Sequence, residues 1–463
     1  MSCLFFRIIL ISYFLFSLMS PLSEASEPTI QLLQFIDLAS KNDVEVERIL
    51  HERTRTSFHK EINMPSNALA VSIQNEYGLG LNGAEGTEFW FFGASKDFPE
   101  TGTKIFASHE INEQEDRTEN ITSVGIEQSI VQNAFGIQVR KESKKLDKEN
   151  QSIYLQSVEA YEDYMATIIK EFLDWRLIYL EILATKDLYN QANRFQKFLE
   201  NRRKRNVARK VDVEKGILES LRYKENLVAL EGSFVTQRSN IAKRSNLSYK
   251  EKFIPGEVPD FYKEKIDYEK GKEKAMETTR TLQALQNLRE AGQLEISVRR
   301  EDLYPEVNFL AGFNYDDSNR FGTPTDRQEI FLGFRFNWPI FDRPDRGELK
   351  KAKFDHISAI LAEKEYQKNL EAALIAQIER IQLSQERLNI SQKKWHLSQS
   401  IIKAERRRYE RGQIDLEILI LAHQDLAQNR YAYLENRIRL DKEIIEWLRL
   451  TDQLVRKGKV QLN

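Results

Sequence analysis

The sequence holds a single cysteine, Cys3, in 463 residues. One thiol excludes a disulfide framework and any cysteine-based zinc site. Proline (10) and glycine (19) are scarce, so few residues interrupt regular structure. Charge of one sign is lacking too: 69 Lys+Arg against 71 Asp+Glu leave a net charge of −2, which gives no global attraction to nucleic acid. Long hydrophobic runs are absent, and 30% of the residues are charged, which excludes a bundle of membrane helices. The one apolar run, Ile8 to Met19 after Arg7, falls short of the roughly 20 residues a spanning helix needs. Pro21 and then Ser23-Glu24-Ala25 follow it, the layout of a secretory signal peptide cut after Ala25. Cys3 would leave with that segment, and bacterial lipidation at the cut is not expected. A mature chain in a membrane would then have to be a β-barrel, whose alternating strands escape hydropathy plots.

Long proline-poor stretches rich in Glu, Lys, Arg, Leu, Gln and Ala predict long helices, from about residue 134 to 205 and 347 to 411, each followed by a shorter one, about 211–244 and 415–456. Heptads run along them: Tyr154, Tyr161, Ile168, Trp175, Ile182, Tyr189; Ile360, Gln367 (the one polar exception), Leu374, Ile381, Leu388, Trp395, Ile402, Tyr409; Leu419, Leu426, Tyr433, Leu440, Trp447, Leu454; and Leu221, Val228, Val235, Ala242. Such seams bind helices along their length. The second seam position is patchy, which suits a helix in a curved wall better than a two-stranded rod. Asn206 and Gly412 mark the breaks, residue types that tolerate the left-handed backbone ending a helix.

Between the helices lie short segments of period two. Val307, Phe309, Ala311, Phe313 and Tyr315 alternate with Asn308, Leu310, Gly312, Asn314 and Asp316, and Ile330, Leu332, Phe334, Phe336 and Trp338 form a second aromatic face. A soluble sandwich would show the same alternation, but a signal peptide and two such strands between long helices favour a membrane hairpin. Four earlier strands are expected at about 68–77, 88–95, 103–111 and 121–130.

The order helix, strands, very long helix, shorter helix occurs twice. It predicts a signal peptide (1–25), a first repeat (26–245), a linker or equatorial segment (246–267, with Pro255, Gly256 and Pro259) and a second repeat (268–463).

At the junctions stand Val124-Gly125-Ile126-Glu127-Gln128-Ser129-Ile130 leading to Phe135-Gly136, and Phe334 to Trp338-Pro339-Ile340-Phe341-Asp342; after the second long helix come Tyr409-Glu410-Arg411-Gly412 and Ala422-His423-Gln424-Asp425-Leu426. In duplicate order these resemble the TolC family of outer-membrane efflux proteins over nearly the whole mature chain. The resemblance implies a mainly α fold with a β-barrel portion. Long antiparallel helices would form a trimeric α-helical periplasmic tunnel below a shared transmembrane β-barrel, with an internal two-fold repeat. It implies a passive export duct of a tripartite efflux or secretion system in the cell outer membrane. Its partners would be two more copies of itself, a periplasmic adaptor (membrane fusion) protein, an inner-membrane transporter and outer-membrane lipid, with no nucleic acid and no cofactor. The family barrel has 12 strands. The expected extra pair around Asp97 to Gly102 is read as standing outside it, leaving 12; inserted, it would give 18.

The resemblance places adaptor contacts at the tips Asn206, Val207, Ala208 and Arg209, and Gly412, Gln413, Ile414 and Asp415. It places a tunnel constriction at Asp212, Ile418 and Leu421. The last two are apolar, so a carboxylate ring and cation selectivity are not carried over. The basic run Arg202, Arg203, Lys204, Arg205, Arg209 and Lys210 could steer an acidic partner. The six histidines (His51, His59, His109, His356, His396 and His423) show no His-Glu-x-x-His spacing, and Walker and nucleophile-elbow motifs are absent, so no enzyme is expected. The competing reading is a periplasmic coiled-coil scaffold or adaptor without a channel.

Overall fold

The computed structural model describes residues 28–79, 86–114, 117–259, 267–320, 322–338, 340, 343–456 and 459–460. The expected signal segment and Pro339, Phe341 and Asp342 lie outside these. The chain divides into two compact units. One comprises Leu50–Ala160 and Met276–Glu371; the other takes the described residues of Met1–Ile49, Tyr161–Ala275 and Ala372–Asn463. Each therefore draws on both halves of the sequence.

The first unit holds a six-stranded antiparallel sheet: β1 (Leu69–Gly78), β2 (Thr87–Phe98), β3 (Thr103–Gln114), β4 (Arg117–Ser129), β5 (Glu306–Arg320) and β6 (Thr323–Asn337). The strands neighbour one another in chain order, with β1 and β6 at the edges. All four expected early strands are present. The expected extra pair is β2 and β3, the second and third strands of this sheet. Period two fixes which face a residue takes but not which strand lies beside it, so the sequence pattern left this open.

Register now assigns the faces. Val71, Ala94, Ala107, Val124, Phe313 and Ile330 align across all six strands on one face. That face also carries Ile73, Phe92, Ile105, Ile126, Phe309, Leu332, Phe334 and Phe336, and Trp90 stacks on Phe92 at 5.9 Å. Leu332 and Phe334 are 72% and 71% exposed in the single chain. The opposite face carries Gln74, Glu76, Lys104, Glu110, Glu127, Asn308, Asn314 and Arg335. One row there reads Ala70, Ser95, Phe106, Gly125, Gly312, Phe331. The rings of Phe106 and Phe331 lie over the two glycines, where an added Cβ would meet ring carbons at 2.6 and 2.5 Å. Aromatic cover over paired glycines lets a sheet bend strongly toward that face.

The second unit is helical. α1 (Ile137–Lys204) and α3 (Arg343–Glu410), which pass through both units, are each 68 residues long. At 1.5 Å per residue each is about 100 Å. α2 (Lys210–Ser245) and α4 (Leu416–Leu450) have 36 and 35 residues. The expected extension of α4 to residue 456 ends early, at a turn with Asp452 left-handed (φ 54°). The core of this unit is aromatic: Phe172 contacts Phe35 and Trp175, and Trp175 packs against Phe234 and Phe253 with centroids 5.5–5.8 Å apart. The segment expected as a linker is tied down where described, since Thr29–Ile30 pairs in parallel with Ile254–Pro255 and Phe253 is buried.

The patchy seam has a physical explanation. On α3, Leu370, Leu374, Gln377, Ile381, Ser384, Leu388, Ser391 and Ser398 are all buried, a 3–4 spacing with serine or glutamine at alternate positions. Ser391 and Ser398 return their hydroxyls to their own helix, and Gln377 donates to the Glu443 carbonyl of α4 at 2.8 Å. Small residues there let a neighbouring helix approach closely. The α2 seam behaves oppositely: Leu221, Val228 and Val235 are exposed, as are Leu383, Ile390 and Leu397 on α3.

Candidate functional site

The two tips share one turn. After α1, Asn206 is left-handed (φ 57°), its N–H donates to the Arg203 carbonyl (2.8 Å), and the Val207 N–H donates to that of Arg202 (2.9 Å). After α3, Gly412 is left-handed (φ 71°), its N–H donates to Tyr409 (3.0 Å), and the Gln413 N–H donates to Arg408 (2.9 Å). These paired bonds satisfy carbonyls that a helix end leaves open. Asn206, Val207, Arg209, Gly412, Gln413 and Asp415 are exposed, and Ala208 is half-buried. Ile414 turns inward onto a core of Phe195, Leu199, Val213, Leu416 and Leu419, which joins the two tips.

The three expected constriction residues occupy different environments. Asp212 is buried, and its carboxylate accepts from the Arg209 backbone N–H at 2.9 Å and from its guanidinium at 3.2 Å. It therefore closes the first turn of α2. Burial opposes its charge, but the Arg209 hydrogen bonds outweigh that and hold its carboxyl below the usual range. Ile418 and Leu421 are exposed at 47% and 59%. Beside them, Lys215 of α2 bonds Glu417 of α4 at 2.5 Å.

Two residues near the tips have surroundings that sequence pattern did not disclose. Arg202, part of the basic run, lies over the rings of Phe198 and Tyr409 at 5.5 and 5.4 Å, so its charge is held against aromatic faces. His423 packs on Phe195 at 6.0 Å. Burial, aided by the charge of Arg406, pushes its pKa down to about 4.

In the sheet unit, the polar face gathers charge near the turn between β2 and β3. Glu127 accepts from Asn308 (2.7 Å) and Arg335 (2.5 Å), and Asn308 also donates to Glu306 (3.0 Å). Asp97, Lys104, Glu127, Glu306 and Arg335 line one cleft. The turn itself is fastened to the start of α1. The Ser129 N–H donates to Gly102 O at 2.9 Å, Gln128 Nε2 donates to Thr101 O at 2.9 Å, and Arg140 donates to Glu100 O at 2.5 Å. Gly136 (φ 77°) sits so close that a Cβ would fall 2.0 Å from the Glu100 carbonyl oxygen. Asn133 Oδ1 caps α1 by accepting from the Val139 N–H at 3.2 Å.

The described residues thus form a mainly helical chain with one large antiparallel sheet of six strands, whose apolar side chains gather mostly on one face. Among the described residues, no helix is long and apolar enough to cross a membrane. The family model "Outer membrane efflux protein" matches residues 272–444. No curated protein matches the chain in sequence. Solved structures match over most of their length. The outer membrane protein VceC of Vibrio cholerae has TM-score 0.67 and 13% identity, covering 90% of this chain and 95% of that one. The CmeC outer membrane channel of Campylobacter jejuni has TM-score 0.68 and 12% identity over 93% and 87%. The MtrE outer membrane channel of Neisseria gonorrhoeae has TM-score 0.68 and 14% identity over 93% and 91%. The chain thus resembles the TolC family of outer-membrane efflux proteins, in fold along nearly all its length and in sequence over residues 272–444. That family is one of efflux and not of catalysis.

Proposed function

We propose that the protein is a passive export duct of the outer membrane, assembled from three copies and docked through its helix tips to a periplasmic adaptor and an inner-membrane transporter. The observation that carries this reading is the sheet: its exposed aliphatic side chains gather on one face and most of its charged ones on the other, and among the described residues each edge strand pairs on one side only. Open edges invite pairing with another chain, and closure into a barrel removes them. The exposed heptad stripes Leu221, Val228, Val235 and Leu383, Ile390, Leu397 support the same assembly, since water is a poor partner for them and a neighbouring copy's helix is a good one. The equal lengths of α1 and α3 and their matching turns support a duplicated chain.

In this reading Ile418 and Leu421 narrow the tip entrance as an apolar ring, and the exposed turns at Asn206 and Gly412 meet the adaptor. The test is fractionation followed by crosslinking. The protein should be recovered from the outer membrane as a trimer, and recovery as a soluble periplasmic protein would overturn the proposal. In planar bilayers Leu421→Ser should raise conductance; an unchanged value would remove Leu421 from the gate.

A further inference from the structure

Resting on the reading of the sheet as a membrane wall, we infer that the hairpin β2–β3 is part of that wall, so three chains close a barrel of 18 strands and not 12. Four observations carry this. First, each strand from β1 to β6 keeps one register with the next, interrupted only at Glu119 and Asn120 between β4 and β5, so the hairpin is an internal pair of the sheet and not a flap beside it. Second, β2 and β3 have 12 residues each beside 13 in β4, and a tilted strand crosses hydrocarbon in about 9–11. Third, Ala94 and Ala107 stand in one row with Val124, Phe313 and Ile330, and Ile105 in one row with Ile126, so the apolar face continues across the hairpin, where Phe92 adds to it and Lys96 and His109 are its polar members. A hairpin in water has no reason to keep that face, whereas hydrocarbon requires it. Fourth, the Glu100–Gly102 turn is bonded to the start of α1, so the hairpin's base is anchored at the strand-to-helix junction.

Edge geometry agrees. The strands alternate in direction, and six is an even number, so β6 of one copy meets β1 of the next antiparallel, the arrangement the rest of the sheet uses. Removing β2 and β3 from the wall would take from β1 the one strand it pairs with among the described residues. Barrel diameter grows roughly linearly with strand number, so the opening would be about half again as wide as a 12-stranded one. The inner lining gains Lys104, Phe106, Ser108 and Glu110 from each chain.

The test uses the near absence of cysteine. In a Cys3→Ser background, Phe92→Cys and Ala107→Cys place a thiol on the apolar face of the hairpin, Ser108→Cys places one on the polar face, and Leu332→Cys places one on the apolar face of β6. Each full-length variant is labelled with bimane and reconstituted in vesicles of brominated phosphatidylcholine. Labels at residues 92, 107 and 332 should be quenched several-fold more than the label at 108. Quenching at 332 without quenching at 92 and 107 would sink the hairpin inference alone, and no quenching at 332 would sink the membrane reading beneath it. The two hairpin positions check one another if one variant fails to assemble. A strand count by electron cryo-microscopy of the unmodified protein in lipid nanodiscs should give 18, and a count of 12 would overturn the inference without any variant.

Discussion

The two 68-residue helices end in the same turn but begin after unequal shares of the six-stranded sheet: four of its strands precede α1, and two lie between α2 and α3. The contrast shows which parts of such a chain tolerate change. A tip is one left-handed residue with two hydrogen bonds, and altering its length would unseat both helices. A sheet grows more freely. Inserting two antiparallel strands returns the chain to the end it left, keeps every face in phase and leaves both edges as they were. What the insertion must supply is an anchorage, and here that is the close contact of Glu100 with Gly136.

The sharpest way to break this contrast is at that contact. Gly136→Ala forces a Cβ against the Glu100 carbonyl, which is backbone and cannot rotate away. Thermal unfolding should show a loss of about 3 kcal/mol or more. Gly322→Ala, in the turn of the other hairpin, is the comparison. It shares a positive φ (78°) but meets no atom within 4 Å, so it should cost only the backbone term, about 1 kcal/mol. Equal losses would show that the first hairpin's turn is no better anchored than the second's.

The shorter helices differ as well. α4 buries its seam at Leu419, Leu426, Leu440 and Trp447, whereas α2 leaves Leu221, Val228 and Val235 exposed. Val228→Asp should therefore leave the folded chain intact by circular dichroism and abolish the trimer in native mass spectrometry. A trimer that survives would show that α2 faces no neighbour.

His423 adds a pH dependence. Its folded pKa of about 4 lies below the usual value near 6.5, so the unfolded chain takes the proton first. Stability is full above pH 6.5 and falls as pH drops toward 4, on the order of 3 kcal/mol in total. His423→Gln should flatten that part of the unfolding-versus-pH curve.

The smallest effect is at Asp212, whose counterpart after the second tip is Ile418. Asp212→Ala removes the cap on α2 and should cost about 1 kcal/mol, while Ile418→Ala should change chemical denaturation little. Because the Asp212 carboxyl is held below its usual range, its contribution is present above that range and fades as pH falls through the folded value.

Much of this was legible in residue patterns. The breaks at Asn206 and Gly412, the six strands and the heptads stand in the structure within a few residues of their expected places. Three things were hidden, each for a physical reason. Period two assigns Phe92 and Ala107 to a face without saying which strands flank theirs. The heptad Leu221, Val228, Val235 announces a partner without saying whether it belongs to the same chain. The role of Asp212 was masked because the residue it caps from, Arg209, is not of a type that starts helices, so the local signal of a capping box was missing.

The serine-bearing seam of α3 has a mechanical meaning. Large side chains interlocked in deep holes resist both separation and sliding. At Ser384, Ser391 and Ser398 the relief is shallow and the hydroxyls bond mostly within their own helix, so contact area is kept while few projections oppose axial movement. Leu374, Ile381 and Leu388 stand before and between these shallow stretches and Gln377 bonds across to Glu443, so the seam is keyed at its large residues and only close-packed at its small ones.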